Sequence, residues 1–259
     1  MIAPLLEAAV IGERALWVGI AVFLRVAAAM AVLPAFGEQS LSVRVRLGAA
    51  LALTLLVAPA VADTLPPGDL GGLLRLSATE TLVGLALGLI LRLLILTLQI
   101  AGTIAAQSTS LAQLFGGAAA EPLPAIGHLL VVSGLALAAM ADLHVHVTAA
   151  LIGTYALIPA GTLPAPGALA ELGVGHVARA FALAFTLASP FVIGALIYNL
   201  ALGAINRAMP LLMVAFVGAP AITAAGLALL AITAPLMLDV WHRALLATLA
   251  DPFAPPGAP

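Results

Sequence analysis

The chain has 259 residues, of which 64% are hydrophobic and only 8% charged. A soluble domain carries about 25% charged residues, and a core of this size cannot hide the apolar excess, so the composition points to a bilayer as solvent. A net charge of -2 leaves no basic footprint for nucleic acid. The absence of cysteine and lysine removes thiol catalysis, cysteine-ligated metals, a P-loop lysine and Schiff-base chemistry.

The first stretch, MIAPLLEAAVIGER, has no basic region ahead of its apolar run and carries Glu7 and Glu13. No cleavage is expected, and insertion falls to the chain's own helices. A spanning helix needs about 20 apolar residues. Ala15 to Leu33 meets that, with Arg25 inside it, and Pro34-Ala35-Phe36-Gly37-Glu38 ends it. Arg44 and Arg46 precede a second, shorter run, Leu47 to Val61, and Pro66-Pro67-Gly68 then marks a loop. Leu73 to Phe115 is too long for one span and too short for two with a proper connection. Gly116 to Pro124 separates it from another overlong block, Ala125 to Ile158. Loops at Pro159-Ala160-Gly161 and Pro164 to Gly167 lead to Ala178–Arg207 and Leu211–Leu238. A Pro-rich tail, 251–259, is expected to be disordered, which leaves 1–250 as one membrane domain.

The expected fold is an all-α integral membrane protein of about six hydrophobic helical blocks, some broken. If the Arg44/Arg46 loop faces the cytoplasm, Arg207 falls on the same side and the acidic Asp63–Asp69 loop outside. Arg75, Arg179 and Arg243 then lie outside.

Enzymatic signatures are few. His144 and His146 would point to nearly opposite faces of a helix, and His128, His176 and His242 stand apart in sequence. No H-E-x-x-H, G-x-S-x-G, G-x-G-x-x-G or Walker pattern occurs. No enzyme, metal or cofactor is expected.

The polar residues within apolar blocks carry more. Gln99, Thr103, Gln107, Ser110 and Gln113 follow helical spacing on one broad stripe, with Ser108 off it. Amides facing lipid are costly, so the stripe should meet protein or water, either as interhelical hydrogen bonds or as the lining of a path. Arg25 and Arg92 sit deep in their runs, with Glu80 and Asp142 as available partners for ion pairing; snorkelling is the alternative. Gly84 and Gly88 form a small-xxx-small pair suited to close helix approach. Asn199, Gly203, Asn206 and Pro210 run down one stripe with Arg207 at its edge. Pro210 biases Met209 away from helix, so the helix should stop near Arg207, whose charge opposes the negative helix end.

In series these segments resemble a known family. "FLRVAAAMAVLPAFGEQSLSVRVRLGAALAL" resembles the first hairpin of the FliR family of flagellar type III export-gate proteins, through Arg25, Pro34, Phe36, Gly37, Arg44 and Arg46. "ETLVGLALGLILRL" and "QIAGTIAAQ" resemble its next segment through Glu80, Gly84 and Gly88. "YALIPAG" and "IYNLALGAINRAMP" follow in order, the latter through Asn199, Gly203, Arg207 and Pro210. The pattern departs after Pro210, where Leu211–Ala215 replace a Gln-x-Asn-Val-Phe run. It departs again at Asp142-Leu143-His144, where the family has Gly-His-His, and at Ser108–Leu111.

The resemblance implies a non-enzymatic subunit, one copy per gate, assembled with FliP and FliQ homologues in the bacterial inner membrane at the flagellar basal body. FlhA and FlhB homologues would be further partners, and unfolded flagellar proteins would pass in transit. It implies that Gln107–Glu121 contributes to a plug, placing Gln99, Thr103, Gln107, Ser110, Gln113 and Phe115 near the gate. It also implies that the overlong blocks bend as hairpins against partner subunits, with Arg207 capping one. The rival readings are a small secondary transporter, with a midplane site near Arg92 and Gln99, and a permease subunit driven by a partner ATPase.

Overall fold

A computed structural model of the chain describes residues 2–34, 42–67, 71–110, 125–208 and 214–254. Every regular element among them is helical: α1 (Ile2–Val32), α2 (Val43–Val61), a short 3-10 turn (Ala62–Thr64), α3 (Leu73–Ser110), α4 (Ala125–Met140), α5 (Leu143–Leu157), α6 (Pro166–Ala208) and α7 (Val214–Ala250). Five of these are long and apolar enough to cross a membrane, or six spans if α4 and α5 together count as one broken span.

The two overlong blocks resolve differently. Leu73–Ser110 is one continuous helix of 38 residues, about 57 Å long against a hydrocarbon layer of about 30 Å. No proline interrupts it, and its glycines are used in close packing, so nothing bends it into a hairpin. The second block does break. Asp142 sits at φ 54° in the left-handed region and separates α4 from α5. Its carbonyl accepts from the Val145 and His146 amides, which starts α5.

Helix ends carry local reasons. Ser42 caps α2, its Oγ accepting from the Val45 amide at 3.4 Å. Pro159-Ala160-Gly161-Thr162 forms a turn in which the Thr162 amide donates to the Pro159 carbonyl at 3.1 Å. Gly161 takes φ 74°, as the third position of such a turn requires. α6 is described as far as Ala208, with Arg207 in its last described turn; Met209 and Pro210, on which the expected stop rests, lie outside the described residues.

The chain divides into two compact units. One comprises residues 1–93, 139–176 and 245–259; the other comprises 94–138 and 177–244. In the first, α1 buries Val18, Ala21, Val22, Arg25, Val26 and Ala29, the three-and-four spacing of one helical face. α3 answers with Leu76, Thr79, Glu80, Val83 and Leu87. Gly84 and Gly88 permit the contact: a Cβ at Gly84 would strike the Arg25 carbonyl oxygen, and one at Gly88 would lie 2.6 Å from that of Ala29. In the second unit Trp241 is fully buried and its Nε1–H donates to the Leu94 carbonyl at 2.7 Å. Gly134 makes room there, facing Leu98 and the Trp241 ring. Gly102 packs directly on the Gly127 backbone, the second close glycine contact of this unit.

Candidate functional site

The deepest polar cluster is built on Arg25. Its side chain and that of Glu80 both have 0% exposure, and Arg25 Nε donates to Glu80 Oε2 at 2.8 Å while Nη2 reaches Oε1 at 3.2 Å. This is the side-on, two-bond geometry that a planar guanidinium makes with a carboxylate. Nη1 donates to Thr154 Oγ1 at 2.9 Å, and Nη2 also donates to the Ile158 carbonyl at 3.1 Å. The Tyr155 ring lies under the guanidinium, its centroid 3.7 Å from Cζ, and its hydroxyl donates to Glu80 Oε2 at 3.2 Å. Gly161 N–H donates to Glu80 Oε1 at 3.1 Å. One ion pair thereby joins α1, α3, α5 and the turn after α5.

Charge, hydrogen bonding and burial agree here. A buried ion needs both a counter-ion and bonds for its remaining lone pairs or protons. Glu80 has four donor contacts, and Arg25 spreads its own donors over three residues besides using its face on Tyr155. The result is a structural centre whose two charged side chains have no exposed surface for a solute.

The other intramembrane charges fall elsewhere. Arg92 pairs with neither expected carboxylate. It is exposed, and its Nη1 lies 3.5 Å from the carbonyl of Val32, the last residue of α1, where helix carbonyls lack internal donors. Asp142 is exposed at the α4–α5 break and is not an ion-pair partner of Arg25. Left-handed backbone, which suits Gly, Asn and Asp, explains its position better than charge does.

On α3, Gln99 and Gln107 are exposed and Thr103 is half-buried, its hydroxyl returned to the Gln99 carbonyl at 2.8 Å. The two amides therefore face outward from this chain. Ser108, off that stripe, is buried and donates to the Ile104 carbonyl at 2.7 Å. The side chain of Ser110, and Gln113 and Phe115 altogether, lie outside the described residues.

Asn199, Gly203, Asn206 and Arg207 are all exposed at the far end of α6; Pro210 lies outside the described residues. Leu196, Ile197 and Leu200, on the same turns, are 69%, 63% and 75% exposed. Amide, cation and aliphatic groups thus surround one unpacked helix end.

Sequence reasoning did not single out Arg14. Its Nη1 donates to the Pro66 carbonyl at 2.9 Å, and its Nη2 to those of Ala62 and Leu65 at 3.0 and 2.8 Å. These are terminal carbonyls after α2, which need donors and favour a cation. The available signal was an arginine at the head of one apolar run and a Pro-Pro break at the foot of the next. Trp241 was missed as well, because it lies past the last apolar block.

Comparison with known proteins adds a family. Residues 16–248 match the bacterial export proteins, family 1. The chain is 35% identical over 229 residues to the flagellar biosynthetic protein FliR of Caulobacter vibrioides, covering 87% of this chain and 91% of the relative. It is 28% identical over 218 residues to the protein of the same name in Escherichia coli, covering 83% of each. The Pectobacterium carotovorum protein of that name is also 28% identical, over 222 residues and 83% of each chain.

Proposed function

This chain belongs to the bacterial export proteins, family 1, and from that premise we infer that it is a non-enzymatic subunit of a flagellar type III protein export gate. In this reading one copy assembles with FliP and FliQ homologues in the inner membrane at the flagellar basal body. FlhA and FlhB homologues adjoin the gate, and unfolded flagellar proteins pass through it.

The observation that carries the reading is the end of α6. Lipid would satisfy Leu196, Ile197 and Leu200 but not Asn199 and Asn206; water would do the reverse. Protein surfaces of mixed chemistry suit both. The outward amides of Gln99 and Gln107 on α3 call for the same treatment, beside partner subunits or along the path of the exported chain. The closed Arg25–Glu80 centre supports a structural role for the deepest charges, in contrast to the open midplane site that a small transporter needs.

Replacing Arg207 with alanine tests the assignment. Its membrane insertion, followed by fractionation, is expected to stay near the parent level. Co-purification with the FliP and FliQ homologues, and release of flagellar protein into the medium, are expected to fall. Equal loss of insertion and co-purification would place Arg207 in insertion and overturn its role in assembly.

A further inference from the structure

A cleft of about 500 Å³ opens between α1 and α2, within the range of small-molecule sites. Its walls are Ala15 and Val18 on α1 and Leu55, Ala58 and Pro59 on α2, and among the described residues Arg14 is the one charged side chain that lines it. We propose that this cleft holds one anionic phospholipid of the surrounding bilayer, its phosphate at Arg14 and one acyl chain along the apolar walls.

Three observations carry this. Depth is the first: Glu13 and Arg14 stand at the head of the apolar run Ala15 to Leu33, and Arg14's partner Ala62 lies near the end of the Val43–Thr64 candidate span. The arginine therefore marks a membrane boundary, where headgroups sit, and the cleft runs from it into the hydrocarbon. Unspent bonding is the second. A guanidinium has five N–H groups, and Arg14 uses Nη1 once and Nη2 twice on backbone carbonyls. Its Nε–H and one Nη1–H have no partner among the described residues. The carbonyl cradle fixes the cation in place without neutralising its formal charge. Shape is the third, because small residues at Ala15, Ala58 and Pro59 leave the groove while Leu55 is 76% exposed at its edge.

Lipid tails are as apolar as the cleft, so the tail supplies fit rather than driving force. Headgroup charge has to supply the preference, as basic groups at the bilayer surface do for anionic lipids. Glu13 and Asp63 are exposed nearby in sequence but do not line the cleft. The proposal is independent of the export reading and requires only that α1 and α2 lie against lipid.

The test uses the full chain, purified with its membrane partners and equilibrated with equal phosphatidylglycerol and phosphatidylcholine, with retained lipid counted by native mass spectrometry. The parent chain should keep phosphatidylglycerol several-fold over phosphatidylcholine. Ala58→Phe, which fills the groove away from the cation, should abolish that retention, and Arg14→Gln should erase the preference between headgroups. Equal retention of both lipids by the parent chain, which needs no variant, overturns the proposal. So does unchanged retention in Ala58→Phe. A photoreactive group at Leu55→Cys that labels a partner subunit and no lipid would assign the cleft to protein and overturn it too.

Discussion

Arg25 illustrates why a cation can be kept inside an apolar chain. An arginine at the centre of a spanning helix costs about 2.5–3.5 kcal/mol on insertion scales, and here Glu80, Thr154, the Ile158 carbonyl and the Tyr155 ring receive it. Removing one partner strands the other. Glu80→Ala should cost about 3–5 kcal/mol, read as a shift in the denaturant midpoint of the purified protein. The double replacement Arg25→Met with Glu80→Leu should recover most of that, because neither charge is then left buried alone. Tyr155→Phe should cost less, about 1.5 kcal/mol, since it loses one hydrogen bond to a charged group and keeps the ring. Asp142 makes the opposite case. Glycine relieves left-handed strain, so Asp142→Gly should raise stability by about 1 kcal/mol in the same assay.

At the scale of elements, glycines that look alike in sequence have different duties. Gly84→Ala puts a methyl against the Arg25 carbonyl oxygen, where backbone must yield, and should destabilise by about 1–3 kcal/mol. Gly48→Ala on α2 meets nothing within 4 Å and should gain up to about 1 kcal/mol of helix propensity. Opposite signs in denaturant titration would confirm that α1 and α3 pack through Gly84. The Gly84/Gly88 spacing signalled this packing, as apolar runs signalled six membrane blocks. Helix lengths were less legible. α6 begins twelve residues before the apolar run at Ala178, and α7 continues past Leu238 through Trp241 to Ala250. Hydropathy marks where a helix tolerates lipid, whereas backbone hydrogen bonding continues through Glu171 or Asp239 without regard to it. Arg25 and Glu80 stood out individually, but Thr154 and Ile158 lie 129 and 133 residues from Arg25, and no local pattern announces such partners.

For the whole molecule, the polar groups divide into two classes. Arg25, Glu80 and Tyr155 complete one another within the chain, and Arg14 completes the carbonyls after α2. Gln99, Gln107, Asn199, Asn206 and Arg207 remain exposed alongside large apolar side chains. On the proposed reading, other subunits cover these groups, and family membership gives that expectation its form. The most direct measurement is co-expression with the FliP and FliQ homologues from the same source, followed by purification through a tag on this chain and mass determination of the product. A single stable complex containing several FliP and FliQ copies for each copy of this chain is the predicted result. Recovery of this chain alone, as a stable monomer or dimer with its partners present in the same membranes, would contradict the account.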